Sequence, residues 1–274
     1  MRKAQAPELR VALAGLGAIG GEVADRLDRG IAGLRLVAVS VRDAAKAERR
    51  MAGFARPVPV VPLADLPERA EVIVECVPAA AFRAVAEPAL TAGRTLITVS
   101  GGALLEHADL IDLAERTGGR IILATGALLG LDAVRAAAEG EIRAVRMVTR
   151  KPPAGLAGAP YLEQHGIRLE GLREPLKVFE GTARDGARGF PANVNVAAAL
   201  SLAGIGPDRT RLEIWADPGV IRNTHRIVVE ADAARFEMQI ENVPTEENPR
   251  TGKITALSVI AALRGLTQTL KVGT

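Results

Sequence analysis

Short apolar runs and helical stretches alternate over the first 125 residues of the chain. Runs of four to eight residues predict strands, at Leu9–Ala14, Leu34–Val41, Val58–Val61, Glu71–Cys76, Thr95–Val99 and Arg120–Ala124. Between them, composition and spacing predict helices at Glu22–Arg29, Ala80–Ala92 and Leu110–Thr117. Pro59 favours an edge position for its strand, and Pro88 is expected to kink or split its helix. Strands that alternate with helices are typical of a parallel sheet covered on both faces.

The pattern changes after Gly140. Further strands are predicted at Ile142–Thr149, Arg211–Ala216, His225–Ala231 and Arg235–Glu241, and helices at Ala192–Ala203 and Lys253–Leu266. Apolar and polar residues alternate in Arg235–Glu241, which indicates a half-buried antiparallel strand. We therefore predict an α/β fold, with an N-terminal parallel-sheet domain (residues 1–125) and a C-terminal α+β domain (residues 126–252).

Composition narrows the class of protein. Of the 274 residues, 48% are hydrophobic and 24% charged, which is ordinary for a globular protein. The net charge of +3 is spread along the chain without a Lys/Arg block, so nucleic-acid binding has little support. The single cysteine excludes a disulfide framework and fits a cytoplasmic location. No apolar stretch is long enough to cross a membrane, so we expect no membrane partner.

A glycine-rich turn follows the first predicted strand and opens a helix. Its sequence, Gly15-Leu16-Gly17-Ala18-Ile19-Gly20, fits G-x-G-x-x-G. The first glycine permits the tight turn, the second lets the backbone approach a pyrophosphate, and the third lets the helix pack closely. This context predicts a Rossmann-type dinucleotide-binding domain. A purely structural glycine turn is the alternative.

The end of the second strand bears on the choice between NAD and NADP. An acidic residue is usual there, because it binds the adenosine ribose. Here the chain reads Ser40-Val41-Arg42-Asp43. Ser40 and Arg42 would suit a 2′-phosphate, whereas in the alternative Arg42 is a solvated loop residue and Asp43 caps a helix. NADP, NAD or dual use therefore all stay open, with a slight preference for NADP or dual use.

His225 is the histidine with candidate chemistry. Strand alternation places it on the same face as Ile227 and Val229, at the end of an apolar surface. An imidazole there would act as a general acid or base, while a structural histidine is the alternative. His107 and His165 are expected at the surface. The three histidines are too scattered for a zinc site, so we predict no metal.

Two polar clusters in the second domain suggest substrate contacts. Lys151 ends a predicted strand, and Arg222 and Arg226 flank the histidine; such cations bind carboxylates. Asn193 and Asn195 start a helix, where asparagine is also a common cap. We expect the substrate to be a small acidic molecule.

Together these segments resemble the L-aspartate dehydrogenase family. The matching stretches run in order through nearly the whole chain: Gly15–Gly20, Val74–Cys76, Ser100–Leu104, Gly126–Asp132, Thr149–Pro153, Phe190–Ala197, Asn223–Ile227, Glu241–Pro244 and Asn248–Thr251. The glycine turn is generic, whereas the asparagine-rich helix start and the Asn-Thr-His segment are much more specific.

The resemblance implies a two-domain fold whose C-terminal helix, residues 253–274, packs back on the nucleotide domain. It implies reversible NAD(P)-dependent deamination of L-aspartate through iminosuccinate to oxaloacetate and ammonia. It assigns His225 to the active site, and Ala127 and Asn195 to the nicotinamide cofactor. It also implies a homodimer and a link to pyridine nucleotide biosynthesis.

The chain departs from the family pattern in two places. The acidic residue after the second strand is missing. Cys76 and Val77 stand where small residues are usual in the family, and we expect Cys76 to be among the cofactor-binding residues. Two other functions stay open. One is a reductase for another small dicarboxylate or imine, and the other is a non-catalytic NADP(H)-binding sensor.

Overall fold

The computed structural model describes residues 8–191, 194–248 and 251–273. Its strands are β1 (Leu9–Ala14), β2 (Leu34–Ser40), β3 (Val72–Glu75), β4 (Thr95–Thr98), β5 (Arg120–Leu123), β6 (Ile142–Lys151), β7 (Leu176–Thr182), β8 (Thr210–Ala216), β9 (Asn223–Ala231) and β10 (Arg235–Asn242). Its α-helices are α1 (Ala18–Asp28), α2 (Ala44–Met51), α3 (Leu66–Arg69), α4 (Phe82–Thr91), α5 (Gly101–Glu106), α6 (Asp109–Thr117), α7 (Leu131–Ala138), α8 (Pro160–Gln164), α9 (Ala183–Gly189), α10 (Asn195–Ala203) and α11 (Lys253–Gly265). None of the helices in the described ranges combines the length and apolar character that a membrane crossing needs.

A five-stranded parallel sheet lies at the centre of the first of two units. This unit comprises the described residues up to Ser100, with His107–Ala124 and Thr255–Lys271. The strand order is β2-β1-β3-β4-β5, and each neighbouring pair is parallel. The order reverses between β1 and β3, and ligands of such sheets bind at the carboxyl ends of the strands beside this reversal. The predicted Rossmann-type domain is confirmed.

Aliphatic side chains fill the interior of this unit. Val11 and Leu13 of β1 are fully buried in a cluster that extends over β2, β3 and α1. Val259, Ile260 and Leu263 of α11 belong to the same cluster. The helix near the C-terminus thus contributes to the core that supports the glycine turn.

A second five-stranded sheet organises the other unit, which contains Gly101–Glu106 and Thr125–Ile254. Its order is β10-β9-β6-β8-β7; β6 and β8 are parallel, and the other neighbours are antiparallel. On β10, Phe236, Met238 and Ile240 are half-buried between exposed neighbours, as their alternation predicts. The mixed sheet and its helices confirm the α+β class.

The register of this sheet aligns two rows of side chains on one face. Thr149 of β6 lies opposite His225 of β9, and His225 lies opposite Ile240 of β10. Two residues further along, Asn223 lies opposite Asn242, and the same register brings Lys151 beside Asn223. The inner row contains Thr149, His225 and Ile240. The outer row contains Lys151, Asn223 and Asn242.

Several elements differ from their predicted form. Val58–Val61 is not a strand: only Val60 bridges to Val39, since Pro59 has no N–H to give a ladder. α1 begins at Ala18, four residues before the predicted start. Pro88 neither ends nor splits α4, which runs on to Thr91.

Other elements lack a clear periodic signal and were not predicted. These are α2, α3, α5, α7, α8, α9 and β7. All seven are only four to eight residues long, too short to show a clear period. The helix predicted at Ala192–Ala203 is present from Asn195 onwards; Ala192 and Asn193 lie outside the described residues.

Candidate active site

Gly15 and Gly20 shape the turn between β1 and α1. Gly15 has φ +95°, in the left-handed region, and a Cβ there would stand 2.5 Å from the carbonyl oxygen of Cys76. A Cβ on Gly20 would stand 2.0 Å from the carbonyl oxygen of Gly15. At both positions a larger side chain would collide with the backbone of the protein itself, so glycine is required even without a ligand.

Gly17 is different, because a Cβ built there meets no atom within 4 Å. Internal packing therefore does not explain this glycine, but the approach of a ligand does. Gly17 is also the N-cap of α1, where no side chain caps the helix, and Ala18 and Ile19 begin the helix. Backbone N–H groups at such a helix start bind phosphate oxygens, so the turn fits a dinucleotide pyrophosphate.

The carboxyl end of β2 contains two candidate residues for contact with the adenosine ribose or its 2′-phosphate, one buried and one exposed. Ser40 is buried, and its carbonyl accepts a hydrogen bond from the N–H of Gly15 at 2.8 Å. Arg42 is exposed. Asp43 caps α2 by accepting from the N–H of Lys46 at 2.9 Å. Asp43 is therefore a cap, as one alternative predicted, and Arg42 remains accessible to a 2′-phosphate.

A buried carboxyl group lies at the end of β3. Glu75 is fully buried, and its two oxygens accept from the Thr98 hydroxyl at 2.5 Å and from the Val77 N–H at 2.8 Å. Burial raises the pKa of Glu75. Desolvation, together with Glu75, also raises the pKa of the neighbouring Cys76 thiol, which disfavours the reactive thiolate form.

In the second unit, His225 is buried in the inner row. Its Nδ1 lies 3.1 Å from Oγ1 of Thr149, which is also buried. Burial, with a smaller contribution from the nearby Lys151 charge, lowers the pKa of His225 to about 3. The imidazole is therefore neutral at physiological pH, and only a neutral imidazole accepts a proton.

A cavity of about 300 Å³ lies over the outer row. Its lining residues are Lys151, Pro152, Ala154, Gly155, Ile221, Arg222, Asn223, Asn242, Pro244, Asn248 and Gly252. Lys151 is buried, with 5% of its surface exposed, and Arg222 is exposed. Two cationic side chains and several amides at one cavity suit a small anionic ligand.

The predicted substrate residues separate into three groups. Lys151 and Arg222 line the cavity. Arg226 does not, because it points to the opposite face of β9 and pairs with Glu237 on β10. Asn193 lies outside the described residues.

The two residues that the resemblance assigned to the nicotinamide lie at loop and helix starts in the second unit. Asn195 is the first residue of α10, and its Oδ1 accepts from the N–H of Gly102 at 3.0 Å. The carbonyl of Ala127 accepts from Nδ2 of Asn242 at 3.0 Å. The Ala127 loop is thereby tied to a residue of the cavity.

Thr149, Asn223 and Asn242 are site residues that sequence reasoning gave no separate role. Strand alternation places Asn223 on the His225 face, and that signal was available. The pairing of Asn223 with residues of β10 and β6 could not be predicted, because the cross-strand register is not encoded locally. The described residues contain no cluster of His, Cys, Asp or Glu that would hold a metal ion.

Both parts of the chain match known dehydrogenases. Residues 15–124 match the family model of the homoserine dehydrogenase NAD-binding domain, and residues 132–266 match the model of the aspartate dehydrogenase C-terminal domain. An L-aspartate dehydrogenase of Bradyrhizobium diazoefficiens is 60% identical, over 97% of this chain and 95% of the relative. L-aspartate dehydrogenase 3 of Bordetella bronchiseptica is 57% identical, over 97% of this chain and 98% of the relative.

A solved structure shows the same fold. The crystal structure of aspartate dehydrogenase from Thermotoga maritima aligns with a TM-score of 0.72 at 22% identity, covering 97% of this chain and all of that chain. Fold likeness at this identity supports the architecture alone. The two sequence relatives support more, since they are similar over almost their full length. The chain belongs to the L-aspartate dehydrogenase family and is an oxidoreductase with an NAD-binding domain.

Proposed function

We propose that this protein catalyses the reversible NAD(P)-dependent oxidative deamination of L-aspartate, through iminosuccinate, to oxaloacetate and ammonia. One observation carries the proposal. A buried neutral imidazole, His225, lies one row from the buried Lys151 on the same sheet face, and Lys151 lines the cavity over the outer row. This arrangement combines a proton acceptor with a carboxylate-binding cation.

Lys151 and Arg222 bind the substrate in this proposal. Aspartate carries two carboxylates, and two cationic side chains line the cavity. When a carboxylate pairs with Lys151, it offsets the charge that helps to lower the His225 pKa. The imidazole then becomes a stronger base only after the substrate has bound.

His225 transfers the protons of the reaction. If Nδ1 carries the ring proton, its N–H donates a hydrogen bond to Thr149 Oγ1, and Nε2 keeps a lone pair. Nε2 accepts a proton from the substrate amine, or from the water that attacks the imine. A bound nicotinamide would supply the acceptor for the hydride that leaves Cα of the substrate.

The proposed cofactor residues form three sets. The turn residues Gly15, Gly17, Ala18, Ile19 and Gly20 hold the pyrophosphate, and the backbone of Cys76 packs against this turn. Ser40 and Arg42 contact the adenosine ribose or its 2′-phosphate. Ala127 and Asn195 contact the nicotinamide portion. The open space at Gly17 is the feature that best supports this set.

The wider setting is also proposed. Residues 1–125 with residues 253–274 form the dinucleotide-binding domain, and residues 126–252 form the catalytic domain. The family resemblance supports a homodimer and a role in pyridine nucleotide biosynthesis. The single cysteine supports a cytoplasmic location, and the strand end at Arg42 supports use of NADP beside NAD.

A substrate panel tests the proposed function. We expect L-aspartate to give the highest kcat/KM among L-aspartate, L-glutamate and L-homoserine, and oxaloacetate with ammonia to support the reverse reaction. Higher kcat/KM with glutamate or homoserine would indicate a different dehydrogenase. Tight NADP(H) binding without turnover of any amino or oxo acid would indicate a sensor.

A further inference from the structure

Asn242 carries a buried acceptor atom without a partner. Only 3% of the residue is exposed, and its Nδ2 donates to the carbonyl of Ala127 at 3.0 Å. A carbonyl oxygen only accepts, so this bond fixes which end of the amide faces Ala127. Over the described residues, Oδ1 has no hydrogen-bond partner. Buried polar atoms are normally paired, so an orphaned oxygen needs an explanation.

The surroundings of Oδ1 favour a ligand as the missing donor. Asn242 lines the cavity over the outer row, together with Lys151 and Arg222. A Cβ on Gly252 would lie 3.0 Å from Oδ1, so glycine at this position leaves the oxygen uncrowded. The side chains of Lys151 and Arg222 are donors only and suit carboxylates. Oδ1 is an acceptor and suits an N–H group.

We propose that Asn242 recognises the amino group of the substrate, with Oδ1 accepting a hydrogen bond from the nitrogen of aspartate and of the imine formed from it. This inference rests on the proposed function. The cations select for two carboxylates, whereas Asn242 selects for an N–H donor on the same molecule. Aspartate satisfies both requirements. Succinate, the same dicarboxylate without the nitrogen, satisfies only the first.

Equilibrium binding of the two ligands separates these contributions. L-aspartate and succinate are titrated calorimetrically into the protein saturated with reduced cofactor, so that no turnover occurs. We expect Asn242→Ala to weaken aspartate binding by about 10- to 100-fold, the effect of losing a hydrogen bond to a charged group, and succinate binding by less than about threefold.

Arg222→Ala is the matched control in the same cavity. It removes a carboxylate contact, so aspartate and succinate binding should weaken by similar factors. Asn242→Asp is the second variant, since it keeps the shape of Asn242 and adds a negative charge that attracts ammonium and repels dicarboxylates. It should raise the affinity for aspartate relative to succinate, the direction opposite to Asn242→Ala.

Equal losses of both ligands in a folded Asn242→Ala protein would overturn the inference. If that variant does not fold, an unchanged or lower aspartate-to-succinate ratio in Asn242→Asp would overturn it. A wild-type protein that binds succinate but not aspartate would instead overturn the proposed function. The two failures are therefore distinguishable.

Discussion

At the scale of single residues, His225 is the group on which the proposed chemistry depends. Burial and Lys151 keep its imidazole neutral, and Thr149 is within hydrogen-bonding distance of Nδ1. A histidine in an apolar sheet has a structural explanation as well. The neighbouring cavity with Lys151 favours the catalytic one.

Replacing His225 with asparagine should lower kcat for aspartate by about 100- to 10,000-fold, because positioned proton transfer contributes that much to catalysis. Steady-state kinetics with L-aspartate measures the effect. His165→Asn is the control, since His165 is exposed and should leave kcat near the wild-type value. Near-normal turnover by a folded His225→Asn protein would exclude the catalytic role.

The lowered pKa of His225 should also make stability depend on pH. Between pH 6.5 and about 3 the unfolded state holds a proton on this histidine that the folded state lacks, so stability falls as pH falls through this window. From pH 7.5 to 5 the loss is about 2 kcal/mol. Glu75, whose pKa is raised, acts in the opposite sense, because its contribution falls as pH rises above 4.5.

Urea unfolding of wild type and His225→Asn at pH 7.5 and 5 isolates the histidine, since Glu75 is common to both. The wild-type protein should lose more unfolding free energy than the variant on acidification. Equal losses would show that the folded and unfolded states protonate His225 alike.

At the scale of elements, the glycine turn shows what sequence does and does not determine. The motif predicted the turn between β1 and α1, and the strand patterns predicted most of both sheets. Sequence did not separate the reasons for the three glycines. The structure does, because Gly15 and Gly20 face backbone atoms while Gly17 faces open space.

Gly20→Ala and Gly17→Ala should therefore have different effects. In Gly20→Ala the new methyl meets the Gly15 carbonyl, which should destabilise the protein by about 1–3 kcal/mol. Gly17→Ala should cost less than about 1 kcal/mol, a small N-cap effect, but weaken cofactor binding at least tenfold. Thermal unfolding and fluorescence titration with NADH and NADPH measure the two effects. Normal cofactor affinity in Gly17→Ala would contradict pyrophosphate binding at this turn.

Arg42 at the end of β2 determines cofactor choice if it contacts the 2′-phosphate. Arg42→Ala should then lower kcat/KM for NADP by about 10- to 100-fold, the loss of a charge-assisted contact, and leave NAD within about threefold. Arg49→Ala is the control, because Arg49 is an exposed arginine of α2 and its loss removes the same positive charge. Equal effects of Arg42→Ala on both cofactors would show that Arg42 is a solvated loop residue.

The elements that sequence reasoning missed or wrongly predicted have separate physical causes. α7 and β7 have too few residues for a clear period, and the extended run at Val58–Val61 failed because Pro59 cannot complete a ladder. The polar row of Lys151, Asn223 and Asn242 depends on strand register. Local patterns place a residue on a face, but the partner strand is chosen by tertiary packing.

At the scale of the whole molecule, each unit contributes a distinct part of the proposed enzyme. The first contains the glycine turn, and the second contains His225 and the cavity over the outer row. The resemblance inferred from the sequence is confirmed by relatives of nearly full length. Family membership and the two candidate sites together support one proposed reaction, the oxidative deamination of L-aspartate.

The stoichiometry of that reaction is its most direct test. Purified protein is incubated with L-aspartate and NAD or NADP, and reduced cofactor and ammonia are measured over the same period. The account predicts one ammonia for each reduced cofactor with at least one of the two nucleotides. Reduction without ammonia release, or no aspartate-dependent reduction with either nucleotide, would contradict it.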